Sequence, residues 1–184
     1  MTQSVIRHCA PTLAGIKAGS LFSCAPEEAE QWVREMGDVL RKSELELALL
    51  WRCSERLLVY IYRPALLEAD FANEAVRRIL APLEYRTDDV AACVDRLRER
   101  FAQRQGFPHE VGVFLGYPAA DVQGFMEHGG RGYKCRGNWK VYGDELCARR
   151  MFARFRACTH NCMKRYQRGD SFAQLIAANG STGS

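Results

Sequence analysis

Two adjacent side chains that can exchange protons, His109 and Glu110, stand immediately before an apolar stretch of the sequence. An imidazole beside a carboxylate can act as acid and base, or one of the two can bind a metal. The alternative is structural: Glu110 caps a helix or pairs with an arginine, and His109 is a solvated loop residue. We predict a catalytic role for this pair and keep the structural alternative open.

A second group of reactive side chains lies near the start of the chain, in the stretch HCAPTLAGIK. Cys9 is a candidate nucleophile or ligand, provided that a helix start or a cation lowers its pKa. Lys17 is a candidate partner for an anionic group, with His8 and Thr12 beside it. The small residues of this stretch let a backbone approach a ligand closely, but they equally fit a helix packed against a neighbour.

A third group occupies the glycine-rich stretch RGYKCRGNWKVYGD, from residue 131 to 144. Tyr133, Cys135 and Lys140 combine an aromatic ring, a thiol and a cation there. Such composition is typical of a ligand-binding loop or lid. An ordinary connection leading into a strand explains it equally well, because no phosphate-loop or dinucleotide spacing is present.

The sequence CTHNC places Cys158 and Cys162 four residues apart on a predicted helix. At this spacing both thiols share one helical face, while His160 points elsewhere. The pair supplies half of a metal site, which Cys135 or Cys9 would complete. The alternative is one cysteine in the core and one at the surface.

Positive charge is concentrated at the C-terminal end of the chain. Residues 131–184 hold eleven of the 26 Lys and Arg residues but three of the 22 Asp and Glu residues. This basic helix is compatible with nucleic-acid binding through phosphate contacts, with docking of an acidic protein, or with a solvated face. No RRM, KH or helix-turn-helix signature is present, so nucleic acid is the weakest of the three.

The central stretch, residues 107–125, is expected to position the His–Glu pair. Residues 111–115 are apolar and predict a short buried strand. The sequence GYP then predicts a tight turn into a helix that ends at Gly129 and Gly130, so that backbone N–H groups face a ligand.

The remaining elements predict an α+β fold. Helices are expected after Pro26, Pro64 and Asp89, a β-hairpin over residues 45–53 and 57–62, and a long last helix capped by Asp144. We predict a single domain over residues 1–170, with about four strands in a small mixed sheet, flanked by five or six helices. Residues 171–184 are predicted to be a flexible tail.

Composition places the protein in the cytoplasm. No run approaches the ~18 apolar residues that span a bilayer, and the N-terminal stretch has no signal-peptide core. Eight cysteines without a CxxC spacing are expected to be reduced thiols.

Over residues 5–168 the chain resembles a family of bacterial cytosolic proteins filed as a domain of unknown function. The resemblance rests on three motifs in the same order: HCAPTLAGIK, FPHEVGVFLGYPAADVQGF and YKCRGNWKVYGD. It brings no activity and no list of catalytic residues. It marks His8, Cys9, Pro11, Thr12, Lys17, His109, Glu110, Gly116, Tyr117, Pro118, Tyr133, Cys135, Trp139 and Lys140, and it implies a link to iron or redox physiology. CTHNC departs from the pattern, which weakens the metal interpretation.

We expect the three motifs to converge on one small-molecule site, with enzymatic activity left open. Cys9, His109 and Glu110 would carry the chemistry, and His8, Thr12, Lys17, Tyr117, Tyr133 and Lys140 would bind an anionic ligand. Cys135, Cys158 and Cys162 are the candidate metal ligands, for a transition metal or haem. The alternative is a non-catalytic regulatory protein that senses a metal or haem, or docks an acidic redox partner such as a flavodoxin.

Overall fold

The computed structural model describes residues 1–103 and 106–177. Helices and strands alternate along the first third of the chain, and helices dominate the rest. In chain order the elements are α1 (Thr2–Leu13), β1 (Gly19–Cys24), α2 (Pro26–Arg41), β2 (Glu46–Arg52), β3 (Leu57–Tyr62), α3 (Pro64–Phe71), α4 (Glu74–Leu80), α5 (Val90–Ala102), α6 (Val111–Phe114), α7 (Ala119–His128), β4 (Cys135–Arg136), β5 (Lys140–Val141), α8 (Glu145–Gln167) and α9 (Phe172–Ala177).

The α+β class and the β-hairpin are confirmed, with differences in the number of elements. The strands form two antiparallel sheets, one of three strands and one of two. The described residues contain nine helices, because several short helices have no separate periodicity in the sequence. None of these helices has the length and hydropathy needed to cross a membrane.

The chain forms two compact units. Unit 1 comprises Met1–Pro64 and Phe155–Ser184, and unit 2 comprises Ala65–Arg154. Helix α8 therefore begins in unit 2 and ends in unit 1. The organisation as a single domain stays a prediction, and each unit is described by itself.

Unit 1 is built on the three-stranded sheet, in the order β1-β3-β2. Strand β3 lies in the centre because its sequence, LLVYIY, is apolar on both faces. Helix α1 packs on β1 and β3, and α9 packs on α1. The hydrophobic core of unit 1 contains residues of α1, β1, α2, β3 and α9, together with Cys162 of α8.

Helix α9 lies within the stretch that the sequence predicted to be a tail. Phe172, Leu175 and Ile176 are buried in the core of unit 1. The ring of Phe172 meets Trp32 edge to face, with 5.5 Å between ring centroids. Ordered structure therefore continues to residue 177, while residues 178–184 lie outside the described residues.

Unit 2 is helical apart from its two-residue strands β4 and β5. The predicted strand over residues 111–115 is wrong: Val111–Phe114 form the short helix α6. The backbone N–H of Leu115 donates to Val111 O at 3.0 Å, as a helix requires. The run is buried on all sides, and such a run carries no periodicity that separates a strand from a buried helix. The turn and the helix that follow are as predicted, with α7 ending at Gly129 in the left-handed conformation.

Candidate functional site

A cleft of about 210 Å³ opens in unit 2 beside the predicted acid–base pair. Residues 106–110, which precede α6, form one wall, and the end of α5 and α7 form the others. The side chains used below are Arg100, Phe107, Pro108, His109, Glu110 and Met126. His109 and Glu110, singled out by the sequence, thus lie together at the edge of a cavity.

Glu110 is a buried carboxylate held by two donors. Its side chain is 2% exposed, and its Oε1 accepts from Arg100 Nε at 2.8 Å and from the Tyr85 hydroxyl at 3.1 Å. Arg100 comes from the last turn of α5, and Tyr85 from the segment that precedes this helix. The hydrogen bond to Glu110 raises the pKa of Arg100. The pKa of Tyr85 is raised mainly by burial and, to a smaller extent, by the negative charge of Glu110. The phenol therefore keeps its proton.

His109 is half-buried between two aromatic rings. Its ring centroid lies 5.8 Å from that of Phe107 and 4.7 Å from that of Phe125. Its carbonyl accepts from the Gly112 N–H at 3.2 Å, which ties the backbone to the first turn of α6. The imidazole, which lies just before α6, is therefore positioned by its packing between the two rings. Its side chain remains partly exposed at the cleft.

The aromatic cluster continues from His109 toward the glycine-rich loop. Phe125 packs on Trp139 at 5.3 Å, and Trp139 stacks on Tyr117 at 4.9 Å between centroids. Burial raises the pKa of the Tyr117 hydroxyl. Tyr117 therefore acts here as a buried packing residue with a neutral phenol.

Lys140 and Tyr133 are joined to this cluster through protein contacts. The Lys140 ammonium donates to Gly130 O at 2.6 Å. It also lies over the Tyr133 ring at 5.0 Å and over the Phe125 ring at 5.5 Å. These contacts fasten the β4–β5 hairpin to the end of α7, so Lys140 already has a structural role.

Asp121 organises the same loop, a role that the sequence did not reveal. Its Oδ1 accepts from the backbone N–H groups of Tyr142 and Gly143, both at 2.8 Å. The carboxylate lies in the first turn of α7 and is 2% exposed. The loop is thus anchored to α7 rather than poised as a free lid.

The first motif belongs to unit 1. Cys9 is fully buried in α1, and burial raises its pKa to about 12, which opposes the thiolate role. The helix begins at Thr2 and contains Pro11, so no helix start lies at Cys9. Lys17 lies over the Phe155 ring at 5.8 Å, and burial lowers its pKa to about 8.

The other polar residues of this motif have structural partners or face solvent. Thr12 Oγ1 and Ser20 Oγ share a hydrogen bond of 2.8 Å. The buried Arg63 donates to the carbonyls of Thr12 and Leu13 at 2.8 and 2.7 Å and so caps the end of α1. His8 is exposed. Convergence of this motif with the other two stays a prediction.

The candidate metal ligands are divided between the units. Cys135 is half-buried in β4 of unit 2, whereas Cys158 and Cys162 lie on the part of α8 that belongs to unit 1. In the described part of the chain, no three His, Cys, Asp or Glu side chains gather as a metal site would require. A metal centre formed by Cys135, Cys158 and Cys162 stays a prediction.

Arg100 and Tyr85 are the other residues of the site that the sequence did not reveal. They lie 10 and 25 residues before Glu110. Neither forms a recognisable spacing with the His–Glu pair. The sequence does predict an arginine in the last turn of a helix, but many surface helices have one, so this feature does not identify a site.

A family model matches residues 5–176, and its description is "Protein of unknown function (DUF3793)". No curated protein and no solved structure matches the chain. The predicted resemblance to a family of unknown function is confirmed, and it assigns no role to any residue.

Proposed function

The chain belongs to the DUF3793 family, and we propose that it binds a small anionic molecule in the cleft of unit 2, with His109 exchanging a proton with that ligand. One observation carries the proposal. His109, the buried Glu110 and the half-buried Arg100 of α5 line the same cavity, and Arg100 pairs with Glu110.

The size of the cavity limits the ligand. A volume of about 210 Å³ is below the ~300–1,000 Å³ of sites for drug-sized ligands. The proposal is therefore restricted to a small metabolite or to one end of a larger one.

Arg100 supplies the charge recognition in this proposal. A guanidinium has five N–H donors, and the contact with Glu110 engages Nε. Glu110 thus fixes the plane of the guanidinium, and the Nη groups would meet a carboxylate or phosphate oxygen of the ligand. Because Glu110 itself is buried and bonded, we assign it a positioning role rather than that of the base.

His109 supplies the proton transfer. Its ring is held between Phe107 and Phe125 at the lining of the cleft, and its imidazole nitrogens would contact a ligand there. A neutral imidazole has one donor and one acceptor nitrogen, so it can pass a proton to or from a bound ligand. A positioned imidazole beside a bound anion can serve a binding protein or an acid–base enzyme.

Cytoplasmic location is part of the same proposal. All eight cysteines are free thiols, four of them buried. This supports a compartment that keeps thiols reduced. Haem binding, metal sensing and docking of an acidic redox protein remain predictions beside it.

The test is a thermal-shift screen of small carboxylates and phosphates against the full-length chain. Ligands that bind the folded state raise the unfolding midpoint. We expect a stabilising anion whose effect is lost in His109→Asn and in Arg100→Gln. His128→Asn, which changes an exposed histidine of the same unit, should keep the response. Equal stabilisation of all four proteins would contradict the proposal.

A further inference from the structure

A second cavity lies beside the cleft of unit 2, and Met126 lines both. It has a volume of about 240 Å³ and is lined by residues of α4 and α7, two helices that pack against each other. Its other lining residues are Arg78, Ile79, Gln123 and Glu127. Because one side chain contributes to both linings, the two cavities are separated by no more than the width of that methionine.

The side chain that separates the two cavities is free to move. Met126 is 36% exposed, so it is not locked in the core of unit 2. A methionine side chain is unbranched and has three rotatable bonds, which lets it adapt its shape to an apolar neighbour. A ligand that fills the cleft therefore extends past Met126 by displacing one side chain, without a change in the backbone.

The polar groups of the second cavity already have partners, so the cavity offers mainly apolar surface to a ligand. Arg78 donates to Glu74 Oε1 at 3.0 Å, one turn earlier on α4. Gln123 donates to Glu127 Oε1 at 2.7 Å, one turn later on α7. What remains for a ligand is the buried side chain of Ile79 together with the methylene groups of these longer side chains.

We propose that the ligand of the cleft is an amphiphilic monoanion. Its charged head pairs with Arg100, and its short unbranched apolar chain passes Met126 into the second cavity. This inference rests on the anion site proposed above and adds the class of ligand. The cleft supplies a guanidinium and an imidazole, whereas the second cavity supplies apolar surface. The two cavities together reach the size of sites for drug-sized ligands, which neither reaches alone.

Charge in the second cavity favours an apolar chain over a second anionic group. The carboxylate of Glu127 lines this cavity and would repel a second carboxylate there. The positive charge of Arg78 is balanced by its ion pair with Glu74. A dicarboxylate should therefore gain nothing from the second cavity, whereas the burial of each methylene of an apolar chain tightens binding by roughly three- to fourfold.

The test is isothermal titration calorimetry of the full-length chain with inorganic phosphate, acetate, butanoate, hexanoate, octanoate and octanedioate. From butanoate to octanoate we expect the dissociation constant to fall by roughly three- to fourfold for each methylene added. Octanedioate, which has the same chain length, should bind at least about tenfold more weakly than octanoate. Arg100→Gln should weaken every ligand of the series, because it removes the cation that pairs with the head.

A matched pair of substitutions locates the chain. Gln123→Trp places an indole in the second cavity from an exposed position on α7, and it should bind octanoate no more tightly than butanoate. Gln31→Trp makes the same change at an exposed glutamine of α2, which also donates to a glutamate four residues later. This control should keep the dependence on chain length.

The outcomes separate this inference from the anion site. Equal affinity for all chain lengths, with binding lost in Arg100→Gln, would overturn the inference and leave the anion site standing. A dependence on chain length that persists in Gln123→Trp would overturn it as well. If no ligand of the series binds the wild type, the anion site falls and this inference with it. Thermal unfolding of the ligand-free variants shows whether each one folds, and if Gln123→Trp does not, Glu127→Trp at another exposed lining position carries the test.

Discussion

Burial decides what the titratable side chains of unit 1 can do. Cys9 is fully buried and keeps its proton, since burial raises its pKa to about 12. Lys17 is affected in the opposite sense, because burial disfavours its charged form. The residue types predicted a reactive site here, and their environment makes them a neutral thiol and a weakly basic amine.

Lys17 gives unit 1 a specific pH dependence. Its pKa is about 8 in the folded chain and 10.5 for a solvent-exposed lysine, so the unfolded state binds more protons between these values. The contribution of Lys17 to stability therefore rises with pH, by about 1 kcal/mol between pH 7 and pH 9, whereas buried thiols such as Cys9, whose pKa is raised, contribute in the opposite sense. Over that range the difference in unfolding free energy between the wild type and Lys17→Met, measured by urea unfolding, should grow by this amount, and the difference between the wild type and the exposed-site control Lys42→Met should stay constant. An unchanged difference for Lys17→Met would show that Lys17 has no such pH dependence.

Glu110 should matter for stability as well as for the cleft. Glu110→Gln removes the charge that Arg100 and Tyr85 contact, and we expect it to cost about 1–3 kcal/mol in urea unfolding. Glu99→Gln breaks the exposed pair with Arg96 and should change stability by less than about 0.5 kcal/mol. Equal effects of the two substitutions would remove the positioning role of Glu110.

The sequence identified half of the cleft. His109 and Glu110 are neighbours in the sequence and have side chains that exchange protons, so the sequence alone can identify them as candidates. Arg100 and Tyr85 contact Glu110 through the tertiary fold, and no spacing in the sequence encodes those contacts. The site therefore had to be completed from tertiary structure.

At the scale of elements, helix ends and turns were predictable, and the state of one apolar run was not. Asp89 and Asp144 cap α5 and α8 through 2.9 Å bonds to the N–H groups of Ala92 and Cys147, as their residue types suggest. Val111–Phe114 form α6, and Gly112 within this helix lies against the Trp139 ring. A Cβ at Gly112 would lie 2.8 Å from that ring, so the glycine serves a long-range contact that local propensity does not contain.

Substitutions at two helical glycines test the packing of the glycine-rich loop, residues 131–144, on α7. A Cβ at Gly124 would lie 2.4 Å from the Tyr142 ring, whereas at Gly37 of α2 the nearest atom is the flexible end of Arg41. Gly37→Ala should stabilise the chain by about 0.5–1 kcal/mol through helix propensity. Gly124→Ala has the same helical gain and should still destabilise by about 1–3 kcal/mol through overpacking. Thermal unfolding of both variants measures this, and a stabilised Gly124→Ala would contradict the packing described for α7.

At the scale of the whole molecule, unit 1 is assembled from both ends of the chain. Residues 1–64 supply the sheet and α1 and α2, and α9 returns to cover their core. This long-range closure explains why the final residues looked like a tail in the sequence. The short run FAQLIA is too brief for periodicity to predict, and its partners lie over 130 residues earlier.

Leu175 tests that closure. It is fully buried in unit 1, and Leu175→Ala should cost about 2–5 kcal/mol by creating a cavity. Leu146→Ala makes the same chemical change at a side chain that is 59% exposed, so it should be nearly neutral. Chemical denaturation of both variants gives the comparison. Similar small effects would mean that α9 adds little to the core.

The basic residues of α8 are the basis for the prediction that the protein docks an acidic partner, and this stays a prediction. Along α8, Arg149 pairs with Glu145, and Arg165 pairs with Asp170. Arg150, Arg154 and Arg156 are exposed. A surface of this kind attracts anionic partners in a salt-dependent way but selects none of them.

Anion binding in the cleft is tested most directly by a histidine-selective NMR titration with the anion that the thermal-shift screen selects. The chain has four histidines, at positions 8, 109, 128 and 160, so each imidazole can be followed separately. We expect a saturable change in the His109 signals alone, abolished by Arg100→Gln. Signals of His109 that stay unchanged at saturating ligand, or that move together with those of the exposed histidines, would contradict a binding site in the cleft.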